Sequence, residues 1–171
     1  MNSSVKHIVV AITFSVTAFF VGSVNAEIAG LETYSLVCQK ALSALDRNVI
    51  SFQKDFGQPK SKKEHKYKLE YPTDGGDGYA VATTISYPND VTLVYETINR
   101  SDVIRLLELK STKSANKIGF NVKTVVEIKK LFGVPDQETQ NSLIYGCDSV
   151  DVTISIKNGL LTAVRINAPV I

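Results

Sequence analysis

Histidine is scarce in this chain. Of the two present, His7 and His65, only His65 lies beyond the N-terminal stretch, and it is flanked by Lys60, Lys62, Lys63, Glu64, Lys66 and Lys68. A lone histidine cannot form a proton relay, which needs a second positioned group. No Gly-x-Ser-x-Gly turn surrounds a serine, no phosphate-cradling glycine loop precedes a helix, and no cluster of His, Cys and Asp has metal-ligand spacing. The acidic residues scatter over what read as outward strand faces, so a catalytic carboxylate pair finds no apolar pocket to work in. These absences lead to the expectation of a protein that is not an enzyme, with no catalytic residue, no metal and no cofactor.

Excess charge is equally short. The formal net charge is +2, which gives no reason to expect a nucleic-acid partner. There is also one long apolar run and no other, from Ile8 to Val21. It is well short of the roughly 20 residues that a spanning helix needs, and Ser15 and Thr17 interrupt it, which argues against a membrane anchor. Lys6 and His7 precede it, and the small residues Gly22, Ser23, Val24, Asn25 and Ala26 follow it. Charged region, apolar region and small-residue box are the parts of a signal peptide spanning residues 1–26, cleaved near Ala26. No cysteine follows that point directly, so a lipid anchor is not expected. The processed chain then reads as periplasmic or secreted.

Only two cysteines are present, Cys38 and Cys147. In an oxidising compartment an even count reads most simply as one bridge. A reactive free thiol is the alternative.

What is present is a clear alternation of periods. Tyr34, Val37, Cys38, Ala41, Leu45, Val49, Phe52 and Phe56 recur at spacings of three and four, which predicts one helix or two abutting ones with a break at Asp46–Asn48. Phe56-Gly57-Gln58-Pro59 stops it. A basic segment from Lys60 to Lys66 follows, read as a solvated loop and strand edge, or as a patch for an anionic surface. Period two begins at Tyr67, Leu69 and Tyr71, and the run from Pro72 to Gly78 reads as a hairpin tip. Strands are expected at Tyr79–Tyr87, Val91–Thr97 and Val103–Leu109, completing an antiparallel meander. Residues 111–117 read as a polar linker.

The second half repeats this plan. Val122, Val125, Ile128 and Phe132 form a helical face that stops at Phe132-Gly133-Val134-Pro135, so Phe-Gly-x-Pro occurs in both halves. Ser142–Tyr145 is a short expected strand, and Val150–Ile156 and Leu160–Ile166 flank the hairpin signal Asn158-Gly159. The expected architecture is therefore α+β, two tandem helix-plus-antiparallel-sheet repeats over residues 27–110 and 118–171.

Gly133 to Pro135, Tyr145 and Asn158-Gly159 stand where the small α+β module of the BamE-like outer-membrane assembly lipoproteins has its helix stop, its strand aromatic and its hairpin turn. The second half resembles that module, although Phe120-Asn121-Val122 stands in place of the family's usual Gly-Met-Thr. Two such modules in tandem resemble the secreted β-lactamase inhibitory proteins, in which a concave sheet grips an enzyme and a hairpin tip enters its active site. That resemblance implies a binding protein acting on a secreted toxin or envelope enzyme, as an immunity or inhibitor protein. A structural accessory in envelope assembly is the second reading, and an envelope hydrolase with an unfamiliar site the third.

The residues expected to meet a protein partner are Asp74, Asp77 and Tyr79 at the hairpin tip, with Tyr67 and Tyr71 beside them. An acidic, protruding, glycine-hinged loop enters a cationic cleft at small steric cost. Read as a calcium loop, the same residues lack the third acidic position and the closing glutamate. Tyrosines on an open sheet face supply contact area at little entropic cost, while those on the other face belong to the core. The oligomeric state is not fixed by the sequence.

Overall fold

The computed structural model describes residues 36–69 and 78–168. The expected signal peptide and its cleavage point, and the candidates Tyr71, Asp74 and Asp77, lie outside the described residues. Within them no helix is long and apolar enough to cross a membrane.

The periodic stretch near the N-terminus folds as two abutting helices, α1 over residues 36–45 and α2 over Val49–Phe56. Val37, Ala41 and Ala44 give α1 its buried stripe, one turn apart as helical geometry requires. The break falls at the expected place, because Asn48 caps α2: its Oδ1 accepts from the Ser51 amide at 2.9 Å. The chain continues through β1 (Ser61–Lys68), β2 (Tyr79–Tyr87), β3 (Val91–Ile98), β4 (Ser101–Leu109), α3 (Thr112–Lys117), α4 (Val125–Phe132), β5 (Gln137–Thr139), β6 (Ser142–Cys147), β7 (Val150–Lys157) and β8 (Leu160–Asn167). All eight strands form one antiparallel sheet in the order β1-β2-β3-β4-β8-β7-β6-β5. The fold is α+β, one sheet with its helices in a layer.

Register explains where the core lies. Directly paired residues share a face, and Ile85, Leu93, Leu107, Ile166, Val152 and Tyr145 stand in one row across six strands. Tyr87, Val91, Leu109, Val164, Ile154 and Leu143 form the next row on the same side. Both rows are buried, together with Val37, Phe52, Phe56, Phe120, Ile128 and Phe132 from the helical layer. Helices therefore cover this face and no described element covers the other. The disulfide joins the layers: Cys38 of α1 is bonded to Cys147 of β6, with a Cα–Cα separation of 5.7 Å.

Helices α2 and α4 end alike. Gly57 (φ 88°, ψ −168°) and Gly133 (φ 82°, ψ −162°) each donate their amide back to the carbonyl four residues earlier, Gln53 and Lys129. Such a backbone is open only to glycine.

The structure departs from the sequence reading in four places. The strand expected to open at Tyr67 opens at Ser61, so most of the basic segment is strand. It carries no hydrophobic period because it is an edge whose side chains are almost all exposed. The segment read as a linker, 111–117, folds as α3, with Ser111 Oγ accepting from the Ser114 amide at 3.1 Å and Ser114 and Ala115 buried. Helix α4 starts at Val125 and not at Val122, because Thr124 and Glu127 make a reciprocal capping box there. Finally β5, three exposed residues, is too short and too polar to leave a periodic trace.

Candidate recognition surface

The uncovered face of the first meander is built from the positions that alternate with the core rows. Tyr67, Ala80, Ile98 and Ser101 pair in one row, and His65, Ala82, Glu96 and Val103 in another. Val94 and Leu106 pair in a third and are half-buried. Val103 is 40 % exposed. This half of the open face thus carries Val94, Ile98, Val103 and Leu106 among polar neighbours that include His65, Thr84, Thr92 and Ser101.

One of its carboxylates is nearly buried. Glu96 is only 7 % exposed, a position that is costly for an ionised group without partners. Two are supplied: the Tyr67 hydroxyl donates to Glu96 Oε1 at 2.5 Å, and Arg105 Nε donates to Oε2 at 2.6 Å. The register shift between Val94 and Tyr95 pairs them with Leu106 and Ile104, leaving Arg105 as the extra residue of a bulge. The hydrogen bond to Glu96 raises the Tyr67 pKa above its ordinary value, and burial adds to this.

Tyr67 and Tyr79, expected to act side by side, lie on opposite faces of the β1–β2 hairpin. Tyr67 pairs with Ala80, whereas Tyr79 pairs with Lys68. Tyr79 is 42 % exposed, and the Lys66 ammonium stands 4.5 Å from its ring centroid. Tyr87 and Tyr95 belong to the core, so their contribution is packing. Of the candidates within the described residues, Tyr79 is the more exposed, with Lys66 against its ring, and Tyr67 has its hydroxyl committed to Glu96.

A concavity, missed by sequence reasoning, opens where α1 meets α2. It measures about 620 Å³ and is lined among others by Leu42, Leu45, Arg47, Val103, Arg105 and Val150. Its two arginines are paired, Arg47 with Asp55 and Arg105 with Glu96. Nothing in the sequence joins these residues, which come from α1, the α1–α2 turn, β4 and β7.

Among the described residues no group of three or more His, Cys, Asp or Glu is placed to hold a metal ion. The geometry offers apolar and aromatic contact area, a basic edge at β1 and hydrogen-bonding backbone. Compared with known protein families, curated proteins and solved structures, the chain matches none.

Proposed function

We propose that this protein is an exported, non-catalytic binding protein that docks a protein partner, as an immunity or inhibitor protein blocking a secreted toxin or envelope enzyme. The observation that carries the reading is the sheet itself, one face covered by helices and the other covered by no described element, beside the β1–β2 hairpin. Half of that open face presents Val94, Ile98, Val103 and Leu106, the kind of apolar surface around which interfaces form. The disulfide supports export to an oxidising compartment.

Internal duplication is part of the same proposal. Its support is local: the matched glycines 57 and 133, and the residue after each following proline, Lys60 and Asp136, donating its amide to a carbonyl of the second strand that follows, Ser86 of β2 and Ile144 of β6. The last hairpin of each half also turns on two consecutive positive-φ residues, Asn99-Arg100 and Asn158-Gly159. A sheet in which each half is a meander and the final strands β4 and β8 pair antiparallel is what two copies related by a local twofold axis produce.

The test is capture of the partner from a periplasmic extract, followed by affinity and activity measurements on the purified pair. Replacing Asp74, Asp77 and Tyr79 together with alanine should weaken the complex, as should Val94→Glu with Leu106→Glu on the open face. The partner's activity should fall when bound. Affinity unchanged by both sets of substitutions ends the proposal.

A further inference from the structure

Two strands close the sheet, and they are unlike. At one end β5 has three residues, too few to template a further strand. At the other, β1 has eight and, among the described residues, pairs on one side alone, with β2. The direction of its backbone groups follows from one bond: the Leu69 amide donates to the Gly78 carbonyl at 2.8 Å. Bonded and non-bonded pairs alternate along an antiparallel ladder, so Tyr67, His65, Lys63 and Ser61 turn their amides and carbonyls toward β2. Those of Lys62, Glu64, Lys66 and Lys68 point away from the sheet.

The side chains of these four residues stand on the helical side, since Lys62 pairs with Ile85 of the core, yet all four are exposed. The helical layer stops short of β1, and nothing described blocks a strand laid beside it. Charge then selects the strand. Lys60, Lys62, Lys63, Lys66 and Lys68 face a single acid, Glu64, whose carboxylate is held by Lys62 at 2.6 Å. A second copy of β1 would set lysine against lysine, which is destabilising across a strand pair. An acidic strand would set carboxylate against ammonium.

We propose that β1 receives an extended, acidic segment of the protein partner as an added strand, by main-chain pairing to Lys62, Glu64, Lys66 and Lys68. This rests on the binding-protein reading above and names the chemistry of the partner. Main-chain bonds supply affinity and the lysine pattern supplies selection, excluding self-association by repulsion.

The test uses the purified protein, exported with its own leader, and a synthetic peptide alternating Glu and Thr over the eight residues of β1, with a Lys and Thr peptide as control. The acidic peptide should bind with an affinity that falls as salt rises, and the control should not bind. Lys66→Pro should weaken binding about tenfold, because it deletes an outward donor and leaves every bond to β2 in place. Circular dichroism checks that this variant is folded. Lys63→Glu with Lys66→Glu and Lys68→Glu, which leaves the backbone untouched, should exchange the preference of the two peptides.

Equal binding of both peptides, or undiminished binding by folded Lys66→Pro, overturns the inference. So do phosphatidylglycerol vesicles that bind the parent and Lys66→Pro alike while the acidic peptide binds neither, which would make β1 a lipid-facing surface. A captured partner that tolerates both β1 variants but not the loss of Asp74, Asp77 and Tyr79 removes the added strand and leaves the binding reading standing.

Discussion

Arg105 Nε and Glu96 Oε2 lie 2.6 Å apart on the open face of the sheet, the arginine aimed there by the β4 bulge. The pair is mostly shielded, with side chains 14 % and 9 % exposed, so removing one partner strands the other. Arg105→Ala should destabilise the protein by about 2 kcal/mol, below the cost of breaking a fully buried pair because some solvent reaches the site. Urea denaturation measures it, and a loss under about 0.5 kcal/mol, the level of an ordinary surface substitution, would refute the assignment. Tyr67 adds an alkaline signature. Its folded pKa is raised by the bond to Glu96, so this stabilisation is complete below the unfolded tyrosine value near about 10 and is lost as pH rises through the folded value. Glu96→Gln should shrink that alkaline loss.

Gly57→Ala and Gly133→Ala should each cost about 1 to 3 kcal/mol, because both residues hold a backbone conformation with φ near 85° that side chains rarely adopt. Space is not the obstacle at Gly57, where the nearest atom to an added Cβ is 4.0 Å away. The penalty is therefore conformational and should be similar at the two sites. Thermal or urea unfolding of the two single variants checks it; a cost at one site and none at the other would contradict the matched geometry.

Much of this fold was legible because helices and inner strands advertise themselves by period. Phe52 and Phe56, Ile128 and Phe132, and the alternation of Val150–Ile156 all declared a buried face, and Phe-Gly-x-Pro declared both helix ends. The disulfide followed from cysteine count. What stayed hidden was whatever the core does not pattern. Strand β1 is fixed by pairing with β2 and has almost no buried side chain, so Lys60–Lys66 read as a solvated run. Helix α3 rests on a serine cap and one buried alanine, Ala115, too little for a periodic signal. The surface was least legible. Glu96 looks like any outward strand acid, and its burial depends on Tyr67 and Arg105 arriving from two other strands. That Tyr67 and Tyr79 face opposite ways follows from the β1–β2 register, which tyrosine spacing alone does not reveal.

The bridge between Cys38 and Cys147 spans a sequence separation of 109. Closing a loop of that size restricts the unfolded chain by roughly 4 to 5 kcal/mol in the chain-entropy view. Cys38→Ser with Cys147→Ser should lower unfolding free energy by an amount of that order, and reduction of the parent should do the same. A thiol assay on unfolded, unreduced protein should find none free. Two titratable thiols in that assay would show that the bridge does not form.

Tyr145 supplies the sharpest pH dependence. Its side chain is fully buried, edge-on to Phe132 at 6.4 Å between ring centroids, and its hydroxyl donates to the Gly133 carbonyl at 3.2 Å. Burial disfavours the phenolate and pushes the pKa up to about 12. A folded pKa above the unfolded one means that the native state holds this proton more tightly. The stability so gained is intact below about 10 and drains away between about 10 and 12, as the unfolded chain ionises first. Tyr145→Phe should therefore lose about 1 kcal/mol at neutral pH with its hydrogen bond, yet show a shallower decline in alkali, so that the two stability curves converge. Ultraviolet titration of phenolate in the native protein gives the direct check: one tyrosine absent from the variant should ionise after the exposed ones. If the parent and Tyr145→Phe instead decline in parallel from neutral pH upward, the buried phenol has no part in the alkaline transition.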